Sequence, residues 1–362
     1  MRPFSISVAR SSLLLFLLTP ACCPIVFAAT ITDLGTIGGH SAYATAVNNA
    51  GQVVGDYQTA AGGLTAFYYS GGIMTGLGNF GGSFTYLYGI NDAGNAVGDS
   101  YTPNNASFRA FLYSNGTMTD LGTLGGASSV ANGINNAGQV VGYAAISSGT
   151  SHAYLYSGGV MTDLGTLGGA YSSATAINDT DQIAGYSTSW NGETHAFIYS
   201  GGQMLDIGTL GGNQSVAYSV NDAGQVVGWS YPKGTTSHTH AFLYSDGQMK
   251  DLGTLGGFSA IADDINNAGQ VVGVSWLTGN NTSHAFLYSG GVMSDLNSFL
   301  PLSSGWELYE AKAINDQGQI VGYGDFGGQT HAFLLDMAPE PSPAALTCLG
   351  TALLAVLRRM RK

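Results

Sequence analysis

Histidine and aspartate recur in this sequence at a spacing that could support acid–base catalysis, metal binding or a structural hydrogen bond. Eleven residues separate the members of four pairs: His152 and Asp163, His195 and Asp206, His240 and Asp251, and His284 and Asp295. A metal site would need several ligands converging on one ion, each about 2.0–2.2 Å away. Because the pairs are distributed along the chain, they predict contacts between neighbouring strands rather than a catalytic or metal site.

Two variant copies of the pair support this interpretation. Arg109 and Asp120 keep a cation and a carboxylate at the same distance, whereas Thr65 and Gly76 lack both members together. Their joint loss indicates that the two side chains touch each other. We therefore expect structural hydrogen bonds between adjacent strands.

Other residues that could do chemistry are few. Asp263 and Asp264 are adjacent, but the alternation of side chains along a strand predicts that they point to opposite faces. Glu307 and Glu310 lie in an aberrant copy and do not predict an acid–base pair. The glycine-rich stretch at 122–126 lacks the Lys-Ser/Thr ending of a phosphate loop. The sequence thus predicts no catalytic, cofactor-binding or metal-binding residue, and a calcium site at the Asn/Asp-rich turns is disfavoured because most turns offer one carboxylate or none.

These pairs belong to seven copies of one repeat, whose spacing of 43 to 45 residues is typical of four-stranded propeller blades. In the fourth copy, the pattern predicts strands at 174–177, 182–186, 195–199 and 203–207. The third of these strands is apolar on both faces, so it must be covered on both faces. The copies begin at Asp33, Gly76, Asp120, Asp163, Asp206, Asp251 and Asp295.

The two ends of the repeat region predict how the molecule closes. The last copy stops after a third strand, His331–Leu335, while Thr30–Leu34 reads as a fourth strand without a preceding third. We therefore predict an all-β fold, a seven-bladed β-propeller of four-stranded blades closed by the N-terminal strand, in which His331 pairs with Asp33. An open β-solenoid is the alternative, but it would leave both edges bare.

The terminal segments read as targeting signals. Residues 1–28 combine a basic start, an apolar run and a small-residue cleavage site, as in a signal peptide. The repeat region is 29–337, and the tail at 338–362 contains the motif Pro339-Glu340-Pro341, an apolar segment at 344–357 and a basic end. This apolar segment is short for a stable transmembrane helix and predicts transient inner-membrane anchoring at the C-terminus. All three cysteines lie in the terminal segments, so the repeat region has no disulfide or thiol nucleophile.

Two resemblances follow from these motifs. The tail is similar to the PEP-CTERM sorting signal of exported Gram-negative proteins, which implies processing by exosortase-type machinery. The repeats resemble the HAF-repeat family of extracellular proteins, whose His-Ala-Phe motif begins here at His195, His240, His284 and His331. Together the resemblances imply a cell-surface or extracellular protein in a polysaccharide-rich matrix.

Charge and loop composition limit the classes of molecule that this protein is expected to bind. Six of the ten basic residues lie in the terminal segments, so the repeat region is strongly acidic, which disfavours nucleic acid as a partner. The leading hypothesis is an exported, non-enzymatic binding or structural component that contacts extracellular polysaccharide or matrix proteins. A lectin-like propeller and, less favoured, a polysaccharide-processing enzyme are the alternatives. The candidate ligand-binding residues are aromatics in or beside the variable loops: Tyr57, Tyr101, Trp190, Trp229, Tyr231 and Trp276.

Overall fold

The computed structural model describes residues 29–60, 62–279 and 281–337. The predicted signal peptide at 1–28 and the sorting tail, including Pro339, Glu340 and Pro341, lie outside the described residues. Within the described ranges, no helix is both long and apolar enough to cross a membrane. The predicted membrane segment at 344–357 belongs to the part that is not described.

The described chain is built from 28 β-strands and two short 3-10 helices, Pro103–Asn105 and Leu296–Phe299. The strands are, in chain order, β1 Thr30–Gly35, β2 Ala42–Val47, β3 Val53–Gln58, β4 Leu64–Ser70, β5 Ile73–Gly76, β6 Thr85–Ile90, β7 Ala96–Tyr101, β8 Phe108–Ser114, β9 Thr117–Asp120, β10 Gly125–Ile134, β11 Val140–Ile146, β12 Ser151–Ser157, β13 Val160–Asp163, β14 Gly168–Ile177, β15 Ile183–Ser189, β16 Thr194–Ser200, β17 Gln203–Asp206, β18 Gly211–Val220, β19 Val226–Pro232, β20 His240–Ser245, β21 Gln248–Gly253, β22 Gly256–Ile265, β23 Val271–Leu277, β24 Ser283–Ser289, β25 Val292–Asp295, β26 Trp306–Ile314, β27 Gln319–Phe326 and β28 Gln329–Asp336.

The strands pair in seven antiparallel groups of four, as the repeat predicts for an all-β fold. Groups 1 to 6 are β2–β5, β6–β9, β10–β13, β14–β17, β18–β21 and β22–β25, each paired in chain order. Group 7 has the order β1-β28-β27-β26, with Thr30 opposite Asp336 and Asp33 opposite Phe333. A single parallel pairing of Thr194 with Gln214 joins groups 4 and 5 into one eight-stranded sheet.

The sequence places its turn residues where the backbone requires them. Gly138 and Gly224 have φ values of 80° and 75° in the turns between the first and second strands. Asp181 takes the same place in group 4 with φ 62°, in the left-handed region that aspartate tolerates better than most residues. Residue type and backbone conformation therefore agree at these turns.

The core lies between neighbouring groups and is centred on the third strand of each. Its residues are fully buried aromatic side chains, one in each group: Phe67, Phe111, Tyr154, Phe197, Phe242, Phe286 and Phe333. Six of the seven, all except Tyr154, belong to apolar clusters shared with the adjacent group, as Phe197 does with Val141 and Ala153 of group 3. Burying one such side chain contributes about 1.5–3 kcal/mol, so contacts between groups are a large part of the stability.

The first strands are longer than the sequence predicted. In group 4 the strand begins at Gly168 rather than at residue 174, so part of the glycine-rich crossover belongs to the sheet. Gly168 pairs with Ser189, and Gly169 lies so close to the backbone of Thr188 that a β-carbon would not fit. The glycine-rich composition of this stretch suggested a loop, but glycine is what allows the two backbones to come close enough to pair.

Candidate functional site

Seven equivalent asparagines connect the groups to one another at the turns that follow the first strands. Each buried side-chain Nδ2 donates to the backbone carbonyl of the equivalent asparagine in the next group, over 2.8–3.2 Å. Asn315 of group 7 donates in the same way to the carbonyl of Asn48 in group 1. We call this set the amide ring: Asn48, Asn91, Asn135, Asn178, Asn221, Asn266 and Asn315.

The exposed residue that follows each of these asparagines forms a second set of contacts. Its side-chain Oδ1 accepts a hydrogen bond from the backbone N–H of the equivalent residue in the preceding group, over 2.8–2.9 Å. Four of the seven are aspartates, so this set is acidic. We call it the polar girdle: Asn49, Asp92, Asn136, Asp179, Asp222, Asn267 and Asp316.

A cavity of about 320 Å³ runs inward from the polar girdle between the first strands of all seven groups. Every first strand carries a β-bulge at the same place, where the register shifts and one residue has no partner on the second strand. Bulges re-aim side chains. The seven bulged residues all line the cavity: Thr45, Tyr88, Asn132, Thr175, Tyr218, Asp263 and Lys312.

Three of the bulged residues donate to a backbone carbonyl of the next group. Thr45 donates to the carbonyl of Leu87 over 2.7 Å, and Asn132 donates to that of Ala174 over 2.7 Å. Thr175 donates to the carbonyl of Ala217 over 3.1 Å.

The other four bulged residues have aromatic or charged side chains: Tyr88, Tyr218, Asp263 and Lys312. Asp263 and Lys312 form an ion pair between groups 6 and 7, and the hydroxyl of Tyr218 accepts a hydrogen bond from Trp229 Nε1 over 3.2 Å. Because they line the cavity, these four residues are the candidates for ligand contact.

A cluster of carboxylates surrounds the lysine on one side of the cavity. Nζ of Lys312 lies 2.5 Å from Oδ1 of Asp263 and 3.0 Å from Oε1 of Glu310, and Tyr323 donates its hydroxyl to the other oxygen of Glu310. The Asp263 side chain is only 7% exposed, and its Oδ2 has no hydrogen-bond partner among the described residues. The neighbouring Asp264 accepts hydrogen bonds from Ser219 Oγ and from a backbone N–H.

Burial shifts the pKa values of the ionisable groups in this cluster. It raises the pKa of Asp263 above its usual range even though Lys312 acts in the opposite direction, and it raises the pKa of Asp264 to about 6. Burial alone would lower the pKa of Lys312, but attraction to Asp263 and Glu310 outweighs burial and raises it. The lysine therefore stays charged, whereas the aspartates retain part of the cost of leaving water.

We expect stability to fall as pH rises from about 4 to about 6, because the raised pKa of Asp264 makes the folded state bind more protons than the unfolded state, whose aspartates titrate near 3.9. This group alone would contribute a loss of about 2 kcal/mol. Denaturant melts across this range should show a smaller decline in an Asp264→Asn variant, which keeps an oxygen acceptor for Ser219. Equal slopes in the two proteins would contradict the assignment.

In the structure, the histidine of each of the five predicted pairs contacts its aspartate. The His Nδ1–Asp Oδ distance is 2.7 Å for three pairs and 2.9 Å for two, including His331 with Asp33 across β28 and β1. Arg109 and Asp120 lie 3.4 Å apart at the equivalent place. The pairs are His152–Asp163, His195–Asp206, His240–Asp251, His284–Asp295 and His331–Asp33.

In all these pairs the aspartate also caps the crossover that follows it. Asp206 Oδ1 accepts the N–H of Gly208 over 2.8 Å, and Asp295 Oδ1 accepts that of Asn297 over 2.9 Å. The five pairs sit in five different groups and do not converge on a common site. Among the described residues, no set of three or more His, Cys, Asp or Glu side chains has the arrangement of a metal site.

His284→Ala is expected to lower the free energy of unfolding by about 1 kcal/mol, because the variant loses the hydrogen bond to Asp295 and a longer, exposed contact of Nε2 with Glu307 over 3.4 Å. Asp295→Ala should cost more, since it also removes the cap on Asn297. Chemical denaturation would measure both, with exposed His40→Ala as the matched control. If His284→Ala and His40→Ala were equally stable, the pair would have no structural role.

The aromatic residues predicted to bind a ligand differ in exposure and do not form one exposed surface. Tyr57 is buried in the core, so it cannot contact a ligand in this structure. The ring of Tyr101 packs 5.5 Å from Phe84, and that of Trp229 packs 5.3 Å from Tyr231. Trp276 is half-buried, while Trp190 is 85% exposed.

Sequence reasoning missed the cavity because it assumed regular alternation. The bulge at Asp263 breaks that alternation, and both Asp263 and Asp264 line the cavity. The prediction of regular alternation is therefore wrong at this position. The available signal was variation: the bulged position carries five different residue types in seven otherwise similar copies.

Comparisons with known proteins bear on the fold. No protein-family model and no curated protein matches the sequence. Among solved structures, a puromycin-hydrolysing peptidase of Mycobacterium tuberculosis aligns with a TM-score of 0.52 and 12% identity over 79% of this chain, and an acylaminoacyl peptidase of Pyrococcus horikoshii with 0.50 and 10% over 81%. The fold is β-propeller-like. This chain covers about half of each peptidase, 49% and 51% of their lengths.

TolB from Acinetobacter baumannii also aligns, with a TM-score of 0.43 and 14% identity over 80% of this chain and 81% of TolB. These identities are too low to transfer an activity, because one fold serves many unrelated functions. The similarity therefore concerns the arrangement of strands alone.

Proposed function

We propose that this chain is an exported, non-enzymatic protein that binds a ligand in the cavity of a closed seven-bladed β-propeller, at the cell surface or in the extracellular matrix. One observation carries the proposal: the bulged residues of all seven first strands line one cavity, and they include two tyrosines, an aspartate and a lysine. Small-molecule sites are concave and combine aromatic walls with a few polar groups, as this cavity does with Tyr88, Tyr218, Asp263 and Lys312.

Closure of the propeller is supported at three places. β1 pairs with β28, the amide ring continues from Asn315 to Asn48, and the polar girdle continues from Asp316 to Asn49. These contacts repeat the pattern found between the other groups. In this proposal groups 1 to 7 are the blades, and β1 is the fourth strand of the last.

Location is the part of the proposal that rests on sequence. A signal peptide and a PEP-CTERM-like tail would direct the chain out of the cell, with exosortase-type machinery and a transient membrane anchor as intermediates. Extracellular polysaccharide or matrix proteins would then be the partners. Fractionating cells and reading both termini of the mature protein by mass spectrometry tests this; an uncleaved cytoplasmic chain would contradict it.

Binding is tested by passing the purified protein over immobilised exopolysaccharide from its own matrix. We expect retention of the wild type and at least about a tenfold weaker interaction for a cavity variant, Tyr218→Leu, corresponding to the loss of one good aromatic contact. Trp190→Ala, which alters an exposed loop far from the bulged positions in sequence, is the comparison. If Trp190→Ala weakened retention and Tyr218→Leu did not, the lectin-like alternative at the variable loops would replace the cavity.

An enzyme is the second candidate, because Asp263 and Glu310 both contact Lys312, which lines the cavity, and paired carboxylates can perform acid–base chemistry on glycosidic bonds. Incubation with the same polysaccharide should release no new reducing ends if the protein only binds. Release that disappears in Glu310→Gln would establish the enzymatic alternative.

A further inference from the structure

The walls of the cavity carry far more negative than positive charge. Among the described residues that line it, Lys312 is the one basic side chain. The acidic side chains span the full depth, from the polar girdle to the bulged positions. They are Asp92, Asp179, Asp222, Asp316, Asp263 and Asp264. Such a concentration of one charge in a concave site attracts cations and repels anions.

Lys312 does not neutralise the deep end of the cavity. Its ammonium group is shared between Asp263 and Glu310, and Asp264 has only neutral donors. Oδ2 of Asp263 remains buried without a donor among the described residues, and a buried acceptor without a hydrogen bond costs about 1–3 kcal/mol. Burial also raises the pKa of Asp264 to about 6.

Three classes of ligand can be compared with these walls. Anions are disfavoured by charge. A metal ion is disfavoured because the described residues do not place three or more metal-ligating side chains together. An organic cation fits better, since Tyr88 and Tyr218 supply aromatic rings in the same cavity, and Tyr88 is 37% exposed even though it is aromatic.

We propose that the cavity binds a ligand carrying a primary ammonium group, which enters through the polar girdle and lies beside the ring of Tyr218, where its charge complements the carboxylates of Asp263 and Asp264. This rests on the cavity being the binding site of the proposed function and names the chemistry of its ligand. Free polyamines and amino-sugar oligomers both carry this group.

Calorimetric titration of the full chain separates these sources. Spermidine tests the free amine, a glucosamine hexamer tests the amino sugar, and the fully N-acetylated hexamer provides the matched neutral oligomer. We expect at least one of the two amines to bind and the N-acetylated hexamer to bind at least about tenfold more weakly. Affinity should also be lower at about pH 5 than at about pH 8, because protonated aspartates no longer attract the ligand.

Two variants assign the site. Asp263→Asn is expected to weaken amine binding about tenfold or more, whereas Asp246→Asn, which removes an exposed carboxylate from a hairpin turn, should leave it unchanged. Tyr218→Leu, which alters no charge, should also weaken binding, so the test survives if Asp263→Asn does not fold.

Two outcomes would overturn the inference. Equal binding of the glucosamine and N-acetylated hexamers, or no binding of either amine, would refute the ammonium specificity. If matrix polysaccharide were still retained through Tyr218 in that case, the proposed binding function would stand. Amine binding that is insensitive to both Asp263→Asn and Tyr218→Leu would place the amine outside the cavity.

Discussion

Removing Thr30–Leu34 is expected to lower the free energy of unfolding by more than about 3 kcal/mol. The deletion leaves β28 without its outer partner and removes Leu34, which is 6% exposed and packs in the core with Val321 and Ala332. Loss of one buried leucine alone costs about 2–5 kcal/mol. It also removes Asp33, the partner of His331. Equilibrium denaturation and the melting temperature would both report the loss.

A matched control tests whether pairing, rather than a particular sequence, is what the first strand contributes. Residues 30–34 can be replaced by Val-Met-Thr-Asp-Leu, the sequence at 160–164 that begins as β13 in group 3. This replacement keeps the aspartate and the buried leucine at their places, so it should restore most of the stability. A deletion variant as stable as the wild type would show that β1 is not needed to close the propeller.

Lys312→Met is expected to destabilise the protein by about 3–5 kcal/mol near neutral pH, the usual cost of removing one partner from a buried ion pair. The variant leaves the carboxylates of Asp263 and Glu310 close together without a cation, and the Asp263 side chain is 7% exposed. Lys233→Met, at an exposed loop position, is the matched control and should change stability by less than about 0.5 kcal/mol.

The pH dependence of this variant distinguishes charge from packing. Without Lys312 the pKa of Asp263 rises further, so the penalty appears above the unfolded value near 3.9 and grows as pH rises. The defect should therefore shrink at about pH 4, and the double variant Asp263→Asn/Lys312→Met should regain much of the stability near neutral pH. A defect independent of pH would mean that the lysine stem, rather than its charge, supports the first strand.

The strand order could be predicted because the same pattern of strands and turns recurs in all seven copies of the repeat. The fourth strand of group 4 was predicted at 203–207 and lies at Gln203–Asp206. Local turn chemistry and apolar patterning agree in each copy, and such agreement is strong evidence for a fold.

The cavity could not be predicted in the same way. A bulge depends on how two strands pair, and the residues next to Asp263 or Lys312 in the sequence do not indicate that either one is unpaired. The contact of Asp263 with Lys312 joins residues 49 apart, in different groups. Only the packing of the first strands brings such positions together, whereas the His–Asp pairs lie on adjacent strands and could be read from spacing.

The outer strands have a consequence for how this protein behaves when it is crowded. β5, β9, β13, β17 and β25 are each only four residues long. Short edge strands offer few free backbone groups to a neighbouring molecule, and the excess of acidic residues adds repulsion between copies. Both features disfavour edge-to-edge association between copies, even though only 9% of the residues are charged.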